Sequence, residues 1–397
     1  MLTIEDPKKA TRFPVLNLGF RPFFLAAGGF AVLSMLIWVG LYQFGWTLRL
    51  NGLPATTWHA HEMLYGYAMA VAAGFLLTAV KNWTGVQTLH GAPLLVLFLL
   101  WLAARVVPFL TPLPMELMAI LDLGFMVFLL VAVALPVVKV RQWKQVGLLS
   151  LLLLMLVANA LFYLGVVGVL SDGVGWGLYS GLYLIVALVF AMGRRVIPFF
   201  IEKGVGYPVQ LKKRLWLDWA VLVLFLLFAV VDVFTPYAGL AALLAAVQIP
   251  LHGLRMVDWH TPGIWRKPLL WVLYLASGSM LLGFMLKLAG YQFAISPFLA
   301  VHAFAVGGIG MVTIGMMARV TLGHTGRNVF APPTVDSWIF AVLFLGAVVR
   351  VIVPLLDTVH YGFWVGLSQL LWIAAFSLFF SVHFPMLYGP RVDGRFG

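Results

Sequence analysis

Residues 59–80 read HAHEMLYGYAMAVAAGFLLTAV. Across these 22 residues Glu62 is the one formally charged side chain, and two imidazoles stand at the leading end. At 1.5 Å rise per residue the stretch makes a helix of about 33 Å, enough to cross a hydrocarbon core about 30 Å thick. The same ruler, moved outward, finds twelve such stretches: 19–44, 59–80, 92–110, 115–138, 146–170, 174–192, 216–234, 237–254, 268–290, 297–322, 337–356 and 361–385. Only Thr235-Pro236 separates the seventh from the eighth. The expected fold is all-α: a polytopic integral membrane protein, residues 1–397 forming a single transmembrane domain of about twelve helices.

Composition agrees. Of 397 residues, 63% are hydrophobic and 10% charged, with mean hydropathy +1.03. A soluble domain carries about 25% charged residues, so this chain lacks the polar residues to cover a soluble body. Disorder, a collagen-like repeat and a disulfide scaffold are excluded. The chain has no cysteine. That removes thiolate haem ligands, iron–sulfur clusters, c-type haem attachment and cysteine nucleophiles. Residues Met1 to Asp6 lead into no apolar h-region before Phe20, so no cleavable signal is expected. No intervening segment is long enough for a second, soluble domain.

The net charge of +12 acquires meaning from its placement. If the N-terminus is cytoplasmic and every span crosses, 21 of the 25 Lys and Arg fall on the cytoplasmic side, Lys8, Lys9 and Arg12 among them. The other side keeps Arg49, Arg105, Lys287 and Arg350. Omitting one span would scramble this asymmetry, which is the signature of orientation rather than of a nucleic-acid footprint. Both termini are therefore expected in the cytoplasm.

Orientation converts position into depth. His59 and His61 open the second span at the outer face, and His302 lies in the first outer turns of the tenth. His360 is also external; His90, His252, His260, His324 and His383 fall on the cytoplasmic side. His302 and His324 are 22 residues apart, about 33 Å along a helix, so they share no ligand. Imidazole is the commonest metal ligand and an axial ligand of haem iron, and helical bundles hold cofactors between facing helices. A haem gripped by His302 and by His59 or His61 is the sharp reading. His59 and His61 are about 200° apart on a regular helix, so both cannot face one iron. The remaining imidazole, with Glu62 or Met63, is the candidate for copper. The bland reading is interfacial or internally satisfied histidines. Trp58-His59-Ala60-His61-Glu62-Met63 weighs against it for this segment, because ionisable groups inside spans are functional candidates by default.

Arg105 and Arg350 share the outer layer and are candidates for haem propionates. The alternatives are that Arg105 neutralises Asp122, about two turns into the fourth span from the same side, or that both arginines snorkel. Asn159 is expected to bond across helices. The small residues Ala303, Ala305, Gly307, Gly308, Gly310 and Gly315 either pack helices closely or leave room for a flat macrocycle. The cytoplasmic side has its own cationic cluster: Arg21, Arg194, Arg195, Arg319 and Gly323-His324-Thr325-Gly326-Arg327. Anionic lipid explains such a belt; a second cofactor at His324 or an anion site is the sharper alternative.

Several blocks resemble one known family in order along the chain. They are Phe20-Arg21-Pro22-Phe23-Phe24, Trp58 to Met63, Gly74 to Val80 with Asn82-Trp83-Thr84-Gly85, Gly193 to Pro198, Pro268 to Leu273, and His302-Ala303 through Arg319 to Arg327. This pattern resembles the NnrS family. The resemblance implies a twelve-span bacterial inner-membrane protein carrying haem, b-type in the absence of cysteine, and copper, and associated with nitric oxide and nitrosative stress, often in denitrifiers. Nitric oxide as ligand or substrate, membrane lipid, and quinone as electron partner follow as expectations, with no nucleic acid. An oxidoreductase acting on nitric oxide or quinol is one form of that function. A transporter, or a regulatory haem sensor or assembly protein without redox turnover, is the alternative.

A weaker echo is of the haem–copper oxidase catalytic subunit. His59 with Met63, Gly74-Phe75 and Asn82-Trp83 resembles its second helix, whose histidine pairs with a partner on helix ten. The departures are that the sixth span reads Gly193-Arg194-Arg195-Val196-Ile197-Pro198 in place of a copper-ligating motif, and the seventh has no paired histidines. The oxygen-reducing dinuclear centre is thus not evident.

Overall fold

Apolar runs of this length have one stable outcome in lipid. Every backbone N–H and C=O must bond internally, which a helix alone achieves within one segment. The computed structural model describes residues 13–50, 52–110, 113–293 and 295–397. Lys8, Lys9, Arg12 and the leader reading of Met1 to Asp6 lie outside the described residues. Among the described residues there are helices and no strands.

Among the described residues, twelve helices are long and apolar enough to cross a membrane. They are α1 (Phe20–Gln43), α2 (Ala55–Thr84), α3 (Gly91–Phe109), α4 (Met115–Lys139), α5 (Trp143–Val166) and α6 (Gly173–Gly204), followed by α7 (Leu215–Phe234), α8 (Ala238–Trp259), α9 (Pro268–Phe293), α10 (Pro297–His324), α11 (Val335–Leu356) and α12 (Tyr361–Tyr388). Helices α7 and α8 are separate, as the Thr235-Pro236 break requires: Thr235 is extended and ends α7. The largest departure from the sequence reading is α6, which runs twelve residues beyond position 192 and carries Arg194 and Arg195 within helix. Long cationic side chains at a helix end reach back along apolar surface, and the Arg194 guanidinium lies 5.2 Å from the Trp219 ring centroid.

Two spans hide an irregularity. Helix α2 is regular over Ala55–His61, widens into a π-helical turn over Glu62–Ala68, and resumes over Met69–Thr84. Met69 N–H donates to the carbonyl of Leu64, five residues back. Helix α10 repeats the device: regular over Pro297–His302, π-helical over Ala303–Gly310, regular over Met311–His324. Such wide turns are frequent at functional positions.

The chain divides into two compact units. Unit 1 comprises Met1–Gly181, Met317–Ala331 and Phe376–Gly397; unit 2 comprises Leu182–Met316 and Pro332–Ala375. In unit 1, α1 packs on α2, α3 on α4, and α4 on α5. In unit 2, α8 packs between α7 and α9, and the wide turn of α10 packs on α9 and α11.

The glycines of α10 serve close packing. A Cβ on Gly307 would stand 2.6 Å from Ser279 Cβ, one on Gly308 2.9 Å from Met280, and one on Gly310 2.9 Å from the Trp372 ring. One on Gly315 would stand 2.7 Å from Val272. Neighbouring side chains, rather than free space, occupy the groove these glycines leave.

Candidate functional site

The wide turn of α2 sets the first site, in unit 1. His59 and His61 sit on the last regular turn and leave the helix on different sides. His59 stacks flat on Trp38 of α1, with ring centroids 4.4 Å apart and planes at 7°. His61 points toward α4 and α5 and is fully buried, stacked on Phe162 at 4.3 Å.

Both ring nitrogens of His61 meet protein acceptors. Nδ1 lies 3.1 Å from Glu62 Oε1, and Nε2 lies 3.1 Å from Asn159 Oδ1 and 3.5 Å from Asp122 Oδ2. Asp122, fully buried on α4, also accepts from Asn159 Nδ2 at 2.8 Å and Tyr163 Oη at 3.1 Å. Arg105, from the end of α3, reaches Asp122 Oδ1 at 2.5 Å and Glu62 Oε2 at 3.2 Å. An imidazole that donates from both nitrogens is an imidazolium. With His61 protonated the cluster holds two cations and two carboxylates, a neutral set of the kind that burial in lipid favours.

Gly66 makes this cluster sterically feasible. A Cβ there would stand 2.9 Å from Arg105 Nη1 and 3.0 Å from Glu62 Oε2. Its carbonyl also accepts from Trp101 Nε1 at 3.0 Å, pinning α3 against the wide turn.

The second site lies in unit 2. His302 ends the first regular turn of α10, and its Nδ1–H donates to the Phe298 carbonyl at 2.7 Å. That bond leaves the lone pair on Nε2, the tautomer a metal-ligating imidazole needs. Arg350 Nη2 stands 3.3 Å from this Nε2, and the Arg350 guanidinium lies 5.6 Å from the Tyr361 ring centroid. Imidazole and guanidinium are therefore presented together beside an apolar cluster that includes Leu299, Ala303 and Val351.

These geometries test the expected cofactors. His302 with Arg350 fits haem better: the ring is fixed through Nδ1, and its Nε2 is an acceptor whose partner is the Arg350 guanidinium, a cation that would turn to a propionate when haem took Nε2. His61 and Arg105 do not suit it as arranged, because the imidazole is held at both nitrogens and the guanidinium is taken by two carboxylates. The copper set does not fit either. Glu62 is turned to His61 and Arg105, and Met63 Sδ receives Ser34 Oγ at 3.8 Å. Among the described residues no group of three His, Asp or Glu converges as metal ligands would. His59 and His302, paired by depth in the sequence reading, belong to different units, and each is placed within its own.

The other histidines have local partners. His324 packs its ring 5.6 Å from Phe20, and its carbonyl accepts from Arg391 Nη1 at 3.0 Å. His360 bonds Asp357, His260 accepts from Trp265, His90 meets the Thr88 carbonyl, and His383 stacks on Phe379. His252 lies between Phe190 and Phe284.

Two features escaped the sequence reading. Tyr163 joins the Asp122 cluster one turn after Asn159, an i, i+4 spacing that was readable. In unit 2, Lys287 Nζ binds both oxygens of Asp232, at 2.9 and 2.7 Å, and Tyr183 Oη donates to the same carboxylate at 2.7 Å. Lone opposite charges near the same ends of α7 and α9 were the available signal.

A family model described as NnrS protein matches residues 14–391. No curated protein matches the chain.

Proposed function

The chain belongs to the NnrS family, and on that premise we propose that it serves the response to nitric oxide and nitrosative stress from the bacterial inner membrane, with both termini cytoplasmic and haem as its working group. The observation that carries the haem assignment is the His302 imidazole, fixed through Nδ1 by the Phe298 carbonyl with Nε2 facing Arg350. In this reading His302 would hold the haem iron through Nε2, and Arg350 would hold a propionate carboxylate. When bound, ferrous haem supplies a coordination position for a diatomic ligand such as nitric oxide.

The chain's own contribution is orientation. The Phe298 carbonyl fixes the plane and tautomer of His302. Gly307 and Gly308 pack the helix turn behind it closely against α9. Arg350, 8% exposed, is held beside His302 Nε2 and the Tyr361 ring, where a guanidinium would meet a propionate carboxylate. Copper, which family resemblance implies, is assigned no set of residues among those described.

The absorption spectrum of the purified protein tests the reading. A Soret band with redox-sensitive visible bands is expected, shifting on nitric oxide addition and lost in His302→Ala. A colourless, fully helical preparation refutes it. That outcome would favour the second reading, a transporter, whose supporting observation is the neutral, fully buried Glu62–Arg105–Asp122–His61 cluster.

A further inference from the structure

The Lys- and Arg-rich end of unit 1 holds buried side-chain donors that have no hydrogen-bond partner. Arg21 opens α1 and is 0% exposed. Its Nη1 donates to the carbonyls of Met386, Leu387 and Gly389, at 3.3, 2.9 and 2.6 Å, and so caps the end of α12. The Phe20 ring, 5.5 Å from Cζ, covers one face of the guanidinium. The guanidinium edge is left over: Nε and Nη2 are buried without a hydrogen-bond partner. Arg327 Nη1 and the Thr321 hydroxyl, at the end of α10 and just beyond it, are buried in the same condition.

These groups belong to one neighbourhood. The Phe20 ring meets that of His324, which stands one turn after Thr321 and three residues before Arg327. Arg21 lies within electrostatic range of Arg327 and Arg391, and His324 within range of Arg21, Lys81 and Arg391. The carboxylate at hand, Asp393, is taken by Arg391 through two bonds, at 2.8 and 2.6 Å. Guanidinium nitrogens have no acceptor capacity, and a buried cation without an anion is costly. The N-terminus of α1 adds its positive dipole end.

We propose that this corner is an oxyanion site, with Arg21, Arg327 and Thr321 donating to a phosphate-type group. The chemistry fits an anionic phospholipid headgroup or a free phosphate equally, since both present the same non-bridging oxygens. It is distinct from the His302–Arg350 site, which belongs to unit 2.

Delipidated full-length protein in detergent provides the test, read by thermal unfolding and by equilibrium binding of labelled inorganic phosphate. The probes are inorganic phosphate alone, and mixed micelles of phosphatidylglycerol or of zwitterionic phosphatidylcholine. Stabilisation by phosphate, displaced by sulfate, identifies the free ion as the ligand. Stabilisation by phosphatidylglycerol but by neither phosphate nor phosphatidylcholine identifies the headgroup. In either case Arg327→Gln and Thr321→Val each weaken the response about tenfold, the share of one charge-assisted hydrogen bond. Arg21→Gln also uncaps α12, so it is not the deciding variant. Sulfate displacement on wild-type protein keeps the test valid if a variant fails to fold. The proposal is overturned if no probe stabilises the wild type, if phosphatidylcholine does so equally, or if both folded variants respond as the wild type does.

Discussion

The buried cluster of unit 1 is neutral only as a set, and this has a measurable consequence. Arg105→Met removes one of two cations and leaves Glu62 and Asp122 facing a single imidazolium. Side-chain exposure of these groups is at most 2%, so water cannot screen the excess. Breaking a buried pair from one side costs about 3–5 kcal/mol. For a unit of this size that corresponds to a fall in Tm of about 6–20 °C. Asp122→Leu inverts the imbalance, strips Asn159 and Tyr163 of their acceptor, and should cost a similar amount. The double variant restores neutrality: His61 with Glu62 remain, and two apolar side chains of similar bulk meet where the ion pair stood. It should lie closer to wild type than either single variant. Thermal unfolding of all four proteins in one detergent, with retained helicity as the folding control, completes the cycle. Losses that add to within about 0.5 kcal/mol would refute the claim that charge balance holds this cluster together.

Other expectations are independent of that one. Gly66→Ala should lower Tm by several degrees, because the added methyl meets Arg105 and the Phe30 ring at under 3 Å; Gly124→Ala, with open space around it, should be neutral or slightly stabilising. Arg350→Gln should retain haem but hold it less tightly, seen as faster transfer to apomyoglobin, whereas transfer unchanged from wild type would remove Arg350 from the site. In the α11–α12 connection, hydrogen bonds from the His360 side chain and backbone, and from Trp364, hold the Asp357 carboxyl down at about 2. A depressed carboxyl stabilises the fold above its unfolded value of about 3.9 and loses that contribution as pH falls through about 2. Trp364 fluorescence should therefore stay constant from pH 7 to about pH 4 and change only below, and a transition centred near pH 4 would contradict the bonding.

The spans were legible because lipid leaves so little choice: some twenty apolar residues in a row have to be a crossing helix. Their ends were less so. Hydropathy stops α6 at the first arginines, yet the helix continues, since Arg194 settles on Trp219 without unwinding the backbone. The wide turns after His61 and His302 left no trace in composition, because one extra residue per turn changes no side-chain chemistry. Arg105, Asp122, Glu62 and Asn159 stood out singly as polar groups in apolar surroundings. That they meet was not readable, because their contacts join four helices. The reading of Arg105 as neutralising Asp122 names one edge of the cluster, while Glu62 as its second carboxylate depended on the backbone shift at Gly66.

That shift bears on why two histidines in the same local position differ in chemistry. Each is the last residue of a regular turn before a π-helical one. After His61, the wide turn is followed around by a carboxylate, Glu62, which with Asn159 on α5 occupies both ring nitrogens. After His302, the turn consists of small and apolar residues, Ala303 to Gly310, which offer the ring no acceptor. The ring instead bonds backward to Phe298 through Nδ1, so that Nε2 is an acceptor and meets a donor, the Arg350 guanidinium. The identity of the residue after each histidine thus separates a charge-balancing imidazolium from a ligand-competent imidazole. Ala303→Glu should then convert the second into the first: a carboxylate placed beside His302 and Arg350 would compete for both. Haem content, measured by pyridine haemochrome, should fall in Ala303→Glu and hold in Ala303→Ser, and equal haem in the two variants would show that the neighbouring side chain does not decide the role.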